Sequence, residues 1–182
     1  MNIRGGFLVC TVVFLCTLAA RADLSDLTIN CDKKKFEDKA APHGPAHHEE
    51  HIKTEQWGFG VTLENRSLKP LAGLDVEYII FYKHEQLGVK GPGKKSRLQG
   101  KSSIPSLGSL AKTTFDTESV PLTSAALVGS APGSDYYFAN GAKPTTHDTM
   151  RGIWIRVYQN GKVIADYSTP TELSQSEKWD EK

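Results

Sequence analysis

Short stretches of alternating apolar and polar side chains, separated by Gly, Pro and Asn turn signals, predict an all-β chain. No long amphipathic helical pattern competes with them. About six such stretches suit an antiparallel β-sandwich of immunoglobulin or fibronectin-III type.

The chain has 182 residues and opens on an address rather than a strand. Arg4 precedes the apolar run Phe7 to Leu18, and Ala20-Arg21-Ala22 supplies the small-x-small pattern of a signal peptide cut after Ala22. As a helix rising ~1.5 Å per residue, the run covers only ~20 Å of a ~30 Å hydrocarbon core. A cleaved export signal is therefore expected over residues 1–22, with a secreted or periplasmic product that is not an integral membrane protein. Cleavage removes two of the 22 basic residues and none of the 21 acidic ones, which leaves a net charge of −1. Such near-neutrality argues against nucleic acid as a partner, because that role calls for a strongly basic domain. Cys10 and Cys16 leave with the signal. Cys31, left alone, forms no internal disulfide and is expected to sit in the first strand as a small apolar side chain.

Residues 23–170 are expected to form the β domain and residues 171–182 a charged tail with one helical turn. Leu24 to Cys31 has strand composition and runs into the charged segment Asp32 to Lys39. Residues 37–50 read as a polar, histidine-rich loop. From Trp57 to Asn65, Trp57, Phe59, Val61 and Leu63 alternate with polar or small residues, the signature of a half-buried strand. Asn65-Arg66-Ser67 and Lys69-Pro70 make a corner, and Asn65 is also a formal N-glycosylation acceptor. Leu74 to Tyr82 ends apolar on both faces and suits a central strand. Leu87 to Gly100 reads as a polar excursion. Leu110 to Thr117 and Val120 to Val128 are further strands, and Gly129 to Pro144 is a loop that holds Tyr136-Tyr137-Phe138.

The segment Gly60-Val61-Thr62-Leu63-Glu64-Asn65-Arg66-Ser67, with Leu71, Val76 to Tyr82 and Gly88, resembles uncharacterised secreted bacterial β-sandwich domains of the FxLYD type. The resemblance spans only Gly60 to Gly88, and Ile79-Ile80-Phe81-Tyr82-Lys83 matches the signature at its tyrosine alone. It implies a β-sandwich and no active residue.

The most specific signal is Asn160-Gly161 between Gly152–Tyr158 and Lys162–Tyr167, which predicts a two-residue type I′ hairpin. A regular register opposes Tyr158 to Val163, Arg156 to Ala165 and Trp154 to Tyr167. One face then carries Trp154, Arg156, Tyr158 and Tyr167, and the other Ile153, Ile155, Val157 and Ile164. The aliphatic face belongs to the core. The aromatic face with its guanidinium is the candidate ligand-binding surface for a glycan or peptide, unless a segment such as the tail around Trp179 covers it.

Other constellations are weaker. His43, His47, His48 and His51 are dense, and a helical turn would put His47 and His51 on one face, as Zn²⁺, Cu²⁺ or Ni²⁺ requires. The zincin pattern fails because Ile52 stands where the second histidine belongs. His47, His48 and His51 are thus candidate ligands in what is expected to be a solvated loop, and no cofactor is assigned. Gly88 to Lys94 imitates a phosphate-binding loop, but Lys95 replaces the Mg²⁺-holding hydroxyl and no helix follows. Lys83, Lys90, Lys94, Lys95, Arg97 and Lys101 would form a basic edge if they share one end of the fold. His147-Asp148 is an adjacent pair with no identifiable nucleophile. The sequence therefore points to a non-catalytic protein with a binding or structural role, its partner an envelope glycan or protein. A metal binder using the histidine loop and a small secreted hydrolase are the alternatives.

Overall fold

The computed structural model describes residues 26–36, 50–127 and 138–179, without the side chains of Glu50 and His51. The predicted signal peptide, His43, His47, His48, Tyr136 and Tyr137 lie outside the described residues.

Among the described residues, nine strands and one helical turn follow in order: β1 (Leu27–Phe36), β2 (Glu50–Asn65), β3 (Leu71–His84), β4 (Lys94–Leu107), β5 (Lys112–Asp116), β6 (Val120–Leu127), β7 (Thr145–His147), β8 (Thr149–Gln159), β9 (Lys162–Thr169) and α1 (Leu173–Ser176). They form two antiparallel sheets. The first runs β1-β2-β6-β7, with β5 also paired to β2, and the second runs β4-β3-β8-β9. Strand β2 takes β1 along one edge over residues 56–65; its other edge takes β6 over residues 50–57 and β5 over residues 60–64.

Every-other-residue burial places the core between the sheets. Phe59, Val61 and Leu63 of β2 meet Leu74, Val76, Tyr78 and Ile80 of β3 and Ile153, Ile155 and Val157 of β8 in one hydrophobic cluster. Strand β3 is apolar on both faces for a reason. Ile79 and Phe81 point away from this core and build a second, smaller cluster with Trp154 and Leu173, against which Trp179 packs.

Three sheet-switching corners hold the layers together. Asn65 is fully buried at the first, donating from Nδ2 to the carbonyls of Lys69 and Gly108 (2.8 Å each). Its Oδ1 accepts from the backbone N–H (3.0 Å) and hydroxyl (2.8 Å) of Ser67. A buried amide so engaged is a structural corner, not an accessible glycan acceptor. The second corner, Gly108 to Ala111, leads from β4 to β5. The third is Asp148, between β7 and β8.

Three boundaries differ from expectation. Strand β1 continues through the charged segment to Phe36 because β2 and β5 supply partners for its lysines. Lys33 lies 4.4 Å from the Trp57 ring centroid, Lys34 bonds Asp116 (2.6 Å) and Lys35 bonds Glu55 (3.0 Å). The polar stretch Leu87 to Gly100 holds the start of β4, an edge strand whose outward lysines and arginine face solvent. Strand β2 begins at Glu50, the last residue of the expected 37–50 loop and well before Trp57, so His51 lies in extended backbone opposite Ala126. Among the described residues, no helix is long and apolar enough to cross a membrane.

Candidate functional site

The type I′ hairpin forms as its sequence requires, with φ of 51° at Asn160 and 74° at Gly161. Tyr158 faces Val163 as expected, but a β-bulge between Val157 and Tyr158 shifts the remaining register by one. Arg156 therefore faces Asp166 rather than Ala165, and Trp154 faces Ser168 rather than Tyr167. Tyr167 moves to the opposite side, across from Ile155, and packs on the main core. This corrects the expected aromatic face. Trp154, Arg156 and Tyr158 share it, and Tyr167 does not. A bulge adds one residue to one strand and flips the faces beyond it.

The shift builds a charge ladder. Register places Lys101 of β4, Glu77 of β3, Arg156 of β8 and Asp166 of β9 in one row across the outer face of the second sheet. Lys101 is hydrogen-bonded to Glu77, and Arg156 Nε donates to Asp166 Oδ2 (2.8 Å). The other Asp166 oxygen accepts from Trp154 Nε1 (2.7 Å). The guanidinium carbon of Arg156 lies 5.0 Å from the Trp154 ring and 4.6 Å from the Trp179 ring, within cation–π range of both. The two indoles meet edge to face at 5.2 Å.

The C-terminal segment makes this arrangement possible. Leu173 is buried against Ile79, Phe81 and Trp154, and Arg151 holds Glu177 at 2.6 Å. The Arg151 guanidinium is also the main cause holding the Glu177 carboxyl below its ordinary range. Gly152 is the socket for the returning chain: its φ is +145°, and a Cβ there would lie 2.1 Å from the Thr169 carbonyl oxygen and 2.6 Å from Leu173 Cδ1. Trp154, only 5% exposed, is thus covered rather than offered to a ligand. What stays open is a groove of about 460 Å³ beside the clamp, whose lining includes Glu77, Gln99, Lys101, Tyr158, Val163 and Trp179. Val163 is 47% exposed at its rim.

The remaining candidates separate in space. His147 bonds Ser124 Oγ (3.1 Å), while Asp148 turns to His84 Nδ1 (2.7 Å). Asp148 also accepts the backbone N–H groups of Glu85 and Thr123 (2.9 Å each). Burial pushes its carboxyl up, but these two amides and the His84 ring outweigh it and hold the group below its ordinary value. The pair thus fastens β3, β6 and the β7–β8 corner. Neither sequence spacing nor motif signalled this His84–Asp148 bond, because His84 ends β3 and Asp148 sits at the β7–β8 corner, 64 residues further on. Cys31 is half-buried, and burial with the neighbouring Asp32 charge pushes its thiol up to about 12. It carries no thiolate at neutral pH. The glycine-rich stretch Gly88 to Lys94 is the β3–β4 connection and leads into a strand, not a helix. Of the basic edge, Lys83, Lys95 and Lys101 are tied to Glu85, Glu177 and Glu77. Among the described residues, no group of three or more His, Cys, Asp or Glu side chains could hold a metal ion.

No protein-family model matches the chain, and no curated protein matches it. Among solved structures, the X-ray structure of Northeast Structural Genomics Consortium target SoR45 aligns over 86% of this chain and 97% of its own, with 11% identity and a TM-score of 0.36.

Proposed function

We propose that this protein is an exported, non-catalytic binding domain that holds an envelope glycan chain in the groove beside the Arg156 clamp. The observation that carries the reading is the open groove of about 460 Å³ on the outer face of the second sheet, with Tyr158 and Trp179 beside Gln99, Lys101 and Glu77. Sugar rings stack their C–H faces on aromatic side chains, while amide and charged groups take the hydroxyls. The Asp166 clamp fixes Arg156 and Trp154 before any ligand arrives, so little ordering entropy remains to oppose binding.

An immunoglobulin or fibronectin-III-like sandwich is the fold proposed to present it. The strand order supports this: β1-β2 with β5 and β6 in one sheet, and β4-β3-β8-β9 in the other, follow the A-B-E and C′-C-F-G arrangement. Strand β7 departs from it, because it edges β6 yet follows it in the chain. The FxLYD-type likeness and the secreted or periplasmic location belong to the same proposal.

Binding of an oligomeric N-acetylglucosamine ligand and of a peptidoglycan digest by calorimetry tests the reading. Tyr158→Ala is expected to weaken capture about five- to tenfold while leaving thermal stability near that of wild type, since a lost aromatic stack is worth about 1–1.5 kcal/mol. Equal affinity of Tyr158→Ala and wild type, or no binding to either preparation, refutes it.

A further inference from the structure

The end of the fold opposite the Asn160-Gly161 turn holds a second, larger cavity, of about 710 Å³, between the β3–β4 connection and the stretch that leads into β7. Its walls are fastened to each other. Asn140 Nδ2 donates to the Gly88 carbonyl (2.7 Å), and Asn140 Oδ1 accepts the Ala142 N–H (2.9 Å). The Phe138 ring packs by Gly88, 3.5 Å from where a Cβ there would sit, an ordinary contact distance.

Among the described residues, the unpaired charge that lines this cavity is positive. Lys90, Lys94 and Lys143 line it, and none of the three has a carboxylate partner among the described residues. Lys90 reaches across, its Nζ 3.7 Å from where a Cβ on Gly141 would sit. Among the described residues, the carboxylates nearby are already engaged. Glu85, which also lines the cavity, is held by Lys83 (2.5 Å), and Lys83 keeps its carboxyl below the ordinary range. Asp148, behind the wall, is only 3% exposed and accepts His84 Nδ1 and two backbone amides. Solvating lysines normally stand apart on a convex surface, whereas these three line one concavity of small-molecule size. Thr145 adds a hydroxyl to the lining.

We infer that this cavity is a binding site for a small polyvalent oxyanion, a ligand carrying two or three negative charges as phosphate or carboxylate groups. Three lysines without carboxylate partners line the cavity, and a small anion seated there would accept charge-assisted hydrogen bonds from them. The site is separate from the groove beside Arg156 and does not depend on it. The β3–β4 glycines serve it by letting the connection fold back over the cavity, with Gly93 at φ +75° and no room for a Cβ against the His84 carbonyl oxygen.

The test titrates the intact protein with inorganic pyrophosphate and with citrate by calorimetry and amide NMR at low salt. Binding of at least one probe is expected, with amide shifts gathered at residues 84–94 and 138–146. The double variant Lys94→Ala/Lys143→Ala is expected to weaken it at least tenfold, because each charged hydrogen bond lost is worth about tenfold. Lys162→Ala, a lysine at the other end of the second sheet, is expected to leave it unchanged. Pyrophosphate alone would mark a phosphate ligand, and citrate alone a carboxylate ligand. Absence of binding by either probe, or binding that the double variant retains, overturns the inference. All three lysines are exposed, so thermal melts matching wild type are expected and show that any loss is not unfolding.

Discussion

Leu173→Ala tests whether the C-terminal segment belongs to the folded unit. Leu173 is 3% exposed and sits on Ile79, Phe81 and Trp154, away from the main core. A buried Leu→Ala change removes transfer free energy and leaves a cavity, which together cost 2–5 kcal/mol. The smaller cluster has four buried members and lies near solvent, so it can partly collapse, and the cost is expected at the low end, about 2 kcal/mol. For a domain of this size that lowers the melting temperature by about 4–8 °C. Urea denaturation followed by far-UV circular dichroism measures the free energy. The near-UV signal of Trp154 and Trp179 reports the edge-to-face contact directly. A loss under about 0.5 kcal/mol with an unchanged near-UV spectrum would refute the packing of this segment over β3 and β8, and with it the groove wall that Trp179 supplies.

Two further perturbations probe the corners. Asn65→Ala removes hydrogen bonds to Lys69, Gly108 and Ser67 and strands buried carbonyls, so it is expected to cost about 3 kcal/mol in urea denaturation; a neutral outcome would contradict the corner's role. Asp148 is ionised in the fold with its carboxyl below the ordinary 3.8, so the stabilisation is complete above about pH 4 and fades as pH falls through the lower folded value. Asp148→Asn should lower stability at pH 7 by about 2 kcal/mol and flatten that acid limb, as urea midpoints from pH 2 to 7 would show. An unchanged acid limb would sever the link.

The strands whose buried faces are uniformly apolar were legible, because Phe59, Val61 and Leu63 or Ile153, Ile155 and Val157 repeat every second residue. Strand β4 was not. Its inward positions include Ser96, Gly100 and Ser102, and Gly100 is small because the Tyr78 ring lies over it: a Cβ would fall 2.3 Å from that ring. The glycine answers a tertiary contact, which local patterning does not carry. The aromatic face was legible at Trp154, Arg156 and Tyr158 but misread at Tyr167, since nothing local in Lys162 to Tyr167 announces a bulge. The partner of Arg156 then emerges only from the shifted register. The His84–Asp148 pair and the lysine cavity join residues from separate strands and loops, and such convergence is written in the topology alone.

The most direct measurement is amide and indole NMR of uniformly ¹⁵N-labelled protein during titration with the glycan that calorimetry selects. The binding account predicts progressive shifts of the Trp179 indole N–H and of the Tyr158, Val163, Gln99 and Lys101 amides, with first-sheet residues such as Thr62 and Thr114 unmoved. Shifts that bypass β4 and β8 altogether, or that gather on the first sheet, would contradict it.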